Sequence, residues 1–239
     1  MKWHRPEIAL SARRRHRGLL PSLGGAAACG RRAGRVQYPG PRHDRLAEHC
    51  VTSMEAMADA VTAALEPLLD RPFALFGHSM GATVGYEVAQ HLEAQQALPA
   101  TLFASGQGAP PARRAAGPLH LVDDATILAG VGALGGMYEM VLADPDLAEL
   151  ILPSLRSDLR LMETYVPVPG RQVTVPVTAC TGDADPGVSV AEAATWERTT
   201  TGKFELRTYA DGHFFVAERQ EDLTADVLAA LPATANQAD

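Results

Sequence analysis

Ser79 stands in Gly77-His78-Ser79-Met80-Gly81, a G-x-S-x-G pattern that suits a reactive hydroxyl. Such a pattern places the serine on a sharp strand-to-helix turn, and small residues two before and two after let the backbones approach closely. The helix N-terminus behind the serine favours developing negative charge. In a chain with 21 glycines the pattern alone is weak evidence. Between the apolar run Phe73-Ala74-Leu75-Phe76 and a helix starting near Met80 it is far more specific. A serine needs a base to take its proton, and in this arrangement an acid and then a histidine follow it in the chain. His213, in Asp211-Gly212-His213-Phe214-Phe215, is the only histidine after His120. The other seven are expected to have surface or packing roles, with His78 pointing away from the chemistry. Thr181-Gly182-Asp183-Ala184-Asp185-Pro186 offers two acids. Asp185 is preferred, because the following proline favours an extended backbone and a turn after it. Asp183 is then a solvated loop carboxylate.

The elements around these residues alternate. Thr52 and Glu55 read as a capping box, and Met54, Met57, Ala58, Val61, Leu65 and Leu68 follow at helical spacing. Strands are expected at 73–76, 100–104, 173–180 and 204–209, and helices at 80–92, 191–199 and 220–231. That alternation implies an α/β fold: a mostly parallel sheet with helices on both faces. Residues 122–164 read as a helical insertion with a break at Asp144-Pro145, lying over the strand ends as a lid.

With 239 residues the chain fits one domain with a full core. A net charge of −7 argues against nucleic acid as a partner. Cys29, Cys50 and Cys180 have no metal-ligand spacing, and reduced thiols in the cytoplasm are expected. No apolar run approaches the ~18 residues that a membrane helix needs, and no secretory h-region precedes a cleavage site. A monomer is the default expectation, with no metal or other cofactor.

Residues 1–35 differ from the rest. Lys2 and eight arginines face the single acid Glu7, so this segment carries +8 and the remaining chain −15. No period of 2 or 3.6 is sustained in it. Three readings stand: a disordered or poorly packed basic arm, translation from a shifted frame, and a basic arm that docks an acidic partner. The expected organisation is this segment, a catalytic domain at 36–232, and a tail at 233–239.

Taken together, Val36-Gln37-Tyr38-Pro39-Gly40, Arg42, Asp44-Arg45, the elbow from Phe76 to Gly81, Gly182-Asp183-Ala184-Asp185-Pro186 and Gly212-His213-Phe214-Phe215 resemble type II thioesterases. The stretch from Leu119-His120-Leu121 to Glu163-Thr164-Tyr165 adds to the likeness, which covers about residues 36–232. These are stand-alone enzymes of the α/β-hydrolase fold that accompany polyketide synthases and nonribosomal peptide synthetases. The resemblance implies hydrolysis of stalled or wrong acyl groups from phosphopantetheinyl acyl or peptidyl carrier domains, through an acyl-enzyme on Ser79.

The chain departs from that family at Pro41, an extra residue, and at its N-terminus. The family opens with a strand and a Pro-His-Ala-Gly-Gly-like loop that supplies half of the oxyanion hole. Gly24-Gly25-Ala26 is the nearest approximation here. The Met80 N–H is left as the clear oxyanion donor, and loss of one donor typically costs about 10²–10³ in kcat. Removing a first strand and its helix should also expose sheet edge and core. The alternatives are a general esterase or acyltransferase, and a carrier-docking pseudoenzyme of low activity.

Overall fold

The computed structural model describes residues 8–11, 33–36, 38, 51–70, 72–110, 118–135 and 144–231. Strands β1 (Ile8–Ser11) and β2 (Ala33–Arg35) come first, then helix α1 (Met54–Leu65), β3 (Leu75–His78), α2 (Met80–Ala94) and β4 (Leu102–Ser105). Helices α3 (Asp124–Gly132) and α4 (Pro145–Thr164) lead to β5 (Val177–Gly182), α5 (Val190–Ala194) and β6 (Phe204–Tyr209). Helices α6 (Phe215–Glu218) and α7 (Gln220–Ala229) follow. Among the described residues the strands form one sheet in the order β2-β1-β3-β4-β5-β6. Strands β3 to β6 run parallel, while β1 pairs antiparallel with both β2 and β3.

Alternation along the strands sends side chains to two separately packed faces. Leu75, Leu102, Ala104, Val177 and Ala179 pack with Val61 and Leu65 of α1, Val84 and Val88 of α2, and Trp196. On the other face Phe103 and Cys180 pack with Phe215 and with Leu223 of α7. Full burial of one such leucine or phenylalanine stabilises by about 1.5–3 kcal/mol, so covering both faces is what holds the strand ends in place.

Several boundaries differ from the sequence expectation. The cap of α1 is Ser53, not Thr52; its hydroxyl accepts from the Ala56 N–H at 3.2 Å. Pairing in β3 begins two residues later than its apolar run. Pro176 lacks an N–H and so cannot donate to a ladder, and β5 starts only after it; Val173 makes an isolated bridge to Thr200. Residues 1–35 supply β1 and β2, so the compositional break near residue 35 is not a break in the sheet. Ladder bonds come from backbone groups, and strands of three or four residues are too short to register as a sustained period. Gly24-Gly25-Ala26, Pro41 and residues 233–239 lie outside the described residues.

The insertion is helical where described. Asp123 caps α3 by accepting from the Thr126 N–H at 2.8 Å, and Asp144 caps α4 with Pro145 in its first turn. Ile127 and Val131 of α3 pack against Leu155 of α4. Two charged residues of α4 then grip the turn Leu119–Leu121. The Arg156 guanidinium donates to the carbonyls of His120 (2.6 Å) and Val122 (2.7 Å) and pairs with Asp124. The Glu163 carboxylate accepts from the N–H groups of Leu119 (2.9 Å) and His120 (3.1 Å) and meets the His120 ring.

Candidate active site

Ser79 joins β3 to α2 with φ 55° and ψ −120°, a left-handed conformation in a non-glycine residue. Such a conformation costs about 1–3 kcal/mol and persists only where its surroundings hold it. They do so here. The Ser79 N–H donates to the Ser105 carbonyl at 2.7 Å, and the Ser79 carbonyl accepts from the Ala82 N–H at 3.0 Å. A Cβ on residue 77 would stand 1.9 Å from the Gly81 carbonyl oxygen, which is why glycine is required two residues before the serine. Ser79 remains partly exposed, while Met80 behind it buries its side chain and opens α2. The Met80 N–H belongs to the first turn of the helix, where amides have no intrahelical acceptor.

Asp185 and His213 come from the turns that follow β5 and β6. His213 Nδ1 lies 2.8 Å from Asp185 Oδ2, with side-chain exposures of 4% and 0%. Because a carboxylate only accepts, Nδ1 carries the proton and Nε2 is the nitrogen left for other work. The second carboxylate oxygen, Oδ1, accepts from the N–H groups of Gly187 (2.8 Å) and Val188 (3.2 Å). Both oxygens of the buried acid are thereby satisfied, which is the condition for keeping it charged away from water. Asp183 is exposed, and its Oδ1 accepts from the Asp211 N–H at 3.2 Å, tying down the turn before His213.

His78 does not point away from this chemistry. Its ring centroid is 4.9 Å from that of His213, and Phe215 meets it edge-on at 6.0 Å. Nδ1 of His78 is 3.0 Å from the hydroxyl of buried Ser105. Burial, and then the proximity of His213, hold the His78 imidazole well below the usual histidine pKa. Gly106, with φ 59°, follows β4 where any side chain would run into both rings: a Cβ there would stand 2.5 Å from His78 Cε1 and 3.3 Å from His213 Cε1. The sequence points His78 the wrong way and singles out neither Ser105 nor Gly106. The variable position of G-x-S-x-G carries no role by itself, and nothing local marks β4 as facing the base.

The insertion reaches this site. A Cβ on Gly187 would meet Leu134 Cδ2 at 2.9 Å, so Leu134, beyond the end of α3, rests on the loop that holds Asp185. Among the described residues no group of three or more His, Cys, Asp or Glu side chains is placed to hold a metal ion. No described helix is long and apolar enough to cross a membrane. Burial raises the Cys180 thiol pKa to about 12 and makes it inert packing behind the site.

The family model described as "Thioesterase domain" matches residues 30–231. The chain is 41% identical over 196 residues to a probable cadicidin biosynthesis thioesterase of Streptomyces griseus, covering 82% of this chain and 54% of that one. It is 42% identical over 197 residues to thioesterase PikA5 of Streptomyces venezuelae, covering 80% and 68%. The chain thus spans about half the length of the first of these relatives and two thirds of the second. The structure of the type II thioesterase BorB from the borrelidin biosynthetic cluster superposes with a TM-score of 0.76 at 34% identity, covering 86% of this chain and 84% of that one. The chain therefore belongs to the thioesterase family, among the type II thioesterases of α/β-hydrolase architecture.

Proposed function

We propose that this chain hydrolyses acyl thioesters carried on the phosphopantetheine arm of acyl or peptidyl carrier domains, as a cytoplasmic monomer clearing stalled or wrong acyl groups from polyketide or nonribosomal peptide synthases. The observation that carries the reading is the buried Asp185–His213 pair, which leaves one imidazole nitrogen for the serine on the elbow. The names of its relatives, drawn from cadicidin and borrelidin biosynthesis, support the carrier-bound substrate.

In this mechanism Ser79 Oγ attacks the thioester carbonyl carbon while His213 Nε2 takes its proton. The Met80 N–H and the N-terminus of α2 stabilise the oxyanion. Asp185 holds the imidazolium without becoming protonated. Collapse breaks the C–S bond, and the proton on His213 passes to the departing phosphopantetheine thiolate. A water that gives its proton to His213 then attacks the acyl-enzyme, and the acid and free Ser79 are released. Residues 122–164 would bound the acyl group and govern its entry.

The test is release of free acid from an acylated carrier domain by the wild-type chain and by Ser79→Ala. Wild-type turnover abolished in the variant is expected; equal release by both would overturn the reading. A simple oxygen ester run in parallel separates the carrier thioesterase from a general esterase, for which the two substrates would be cleaved alike.

A further inference from the structure

An imidazole buried in a protein costs free energy that an apolar side chain in the same place would not. His78 is only 6% exposed, and its Nε2 has no hydrogen-bond partner among the described residues. Packing alone would favour a hydrocarbon here. Beside Phe214 and Phe215, at 6.1 and 6.0 Å, the ring meets two polar partners: the Ser105 hydroxyl at Nδ1, and the His213 ring at 4.9 Å with its plane inclined by 48°. Phe214 stands edge-on to His213 at 5.1 Å. Gly106 leaves space for both imidazoles where a Cβ would fill it.

The Asp185 carboxylate fixes His213 through a single hydrogen bond at Nδ1, and one such bond leaves the ring free to swing about it. Proton transfer from Ser79 needs Nε2 held to one direction through two successive steps, and a small misplacement is costly. We propose that His78 is a positioning residue for His213: its ring, anchored to Ser105, is the surface against which the base is set. The proposal rests on the Ser79–His213–Asp185 reading above. Ser105 couples the two ends of the device, since its carbonyl accepts the Ser79 N–H and its hydroxyl holds His78. The wall must also remain neutral, because a second cation would oppose the imidazolium that forms on His213. Burial and the neighbouring His213 keep His78 unprotonated.

The experiment compares the full chain with His78→Asn, which can keep a polar contact to Ser105 but has no ring, and His78→Phe, which keeps a ring without the nitrogens. Turnover of an acylated carrier domain and the rate at which a fluorophosphonate labels Ser79 are both read. For folded His78→Asn, kcat and the labelling rate should fall about 10–100-fold, with KM within about threefold of wild type. His78→Phe should recover at least part of both losses. Wild-type kcat in His78→Asn, a loss confined to KM, or no recovery in His78→Phe would each overturn the proposal. If His78→Asn does not fold, His78→Phe decides: activity well above that of His213→Ala supports the proposal, and activity equal to it overturns it. Wild-type turnover by Ser79→Ala or His213→Ala would overturn the triad and this proposal together. A dead Ser79→Ala beside a fully active His78→Asn overturns only this one.

Discussion

His213 Nδ1 and Asp185 Oδ2 meet at 2.8 Å across 28 positions of sequence, while Asp183, two residues from Asp185, turns outward to hold the Asp211 N–H. The two acids of one short turn thus have separable tasks, and their amide variants should behave differently. Asp185→Asn presents an N–H to Nδ1 or forces the other tautomer, which places the proton on Nε2 where Ser79 needs an acceptor. A fall in kcat of about 10³–10⁴ is expected. Asp183→Asn keeps an acceptor for Asp211 and should stay within about threefold of wild type, as surface substitutions generally cost little. Steady-state hydrolysis of an acylated carrier by both variants checks the assignment, and the reverse order would make Asp183 the acid.

The grip of α4 on the turn Leu119–Leu121 makes a second prediction. Glu163 is the shared acceptor of two backbone N–H groups there and of the His120 ring. Its side chain is only 10% exposed, so truncation leaves those donors poorly hydrated. Glu163→Ala should destabilise by about 1–3 kcal/mol. A melting temperature lowered by several degrees is then expected, at about 2–4 °C per kcal/mol for a chain of this size. Faster proteolytic cleavage should appear within 118–164 and not in the sheet. Glu163→Gln keeps one acceptor oxygen and should recover part of the loss. Unchanged melting and proteolysis in Glu163→Ala would show that the turn is held by Arg156 alone.

How legible all this was in the sequence depends on how local the signal is. Ser79 was legible because its conformation is imposed by neighbours two residues away: Gly77 must be small against the Gly81 carbonyl. Asp185 and His213 stand out by their order and their place after strands, and the fold brings their side chains together, while β6 is bounded at 204–209 by its own residues. The role of His78 was not legible. It is set by Ser105 and Gly106, which reach it only because β3 and β4 pair in a register that puts His78 opposite Ser105. Strands β1 and β2 were hidden for a similar reason. Each is too short to show a period, and each is defined by the backbone of its partner.

The same burial that hid His78 gives stability a pH dependence of known sign. In the fold its imidazole stays neutral, with its pKa held well below 6.5 first by burial and then by His213. In the unfolded chain it takes a proton as pH falls through about 6.5. Below that point the unfolded state binds more protons than the native one, so stability rises with pH and is lost as pH falls. The slope from this one group is at most about 1.4 kcal/mol per pH unit, and it persists down to the pKa in the fold. Most other titrating groups are shared by wild type and His78→Asn, so their difference isolates the contribution. Urea unfolding at pH 7.5, 6 and 5 should show wild-type stability falling more steeply than that of His78→Asn over the lower interval. Parallel curves would mean that His78 takes up its proton over the same pH range in the fold as in the unfolded chain, and that its burial does not keep it neutral.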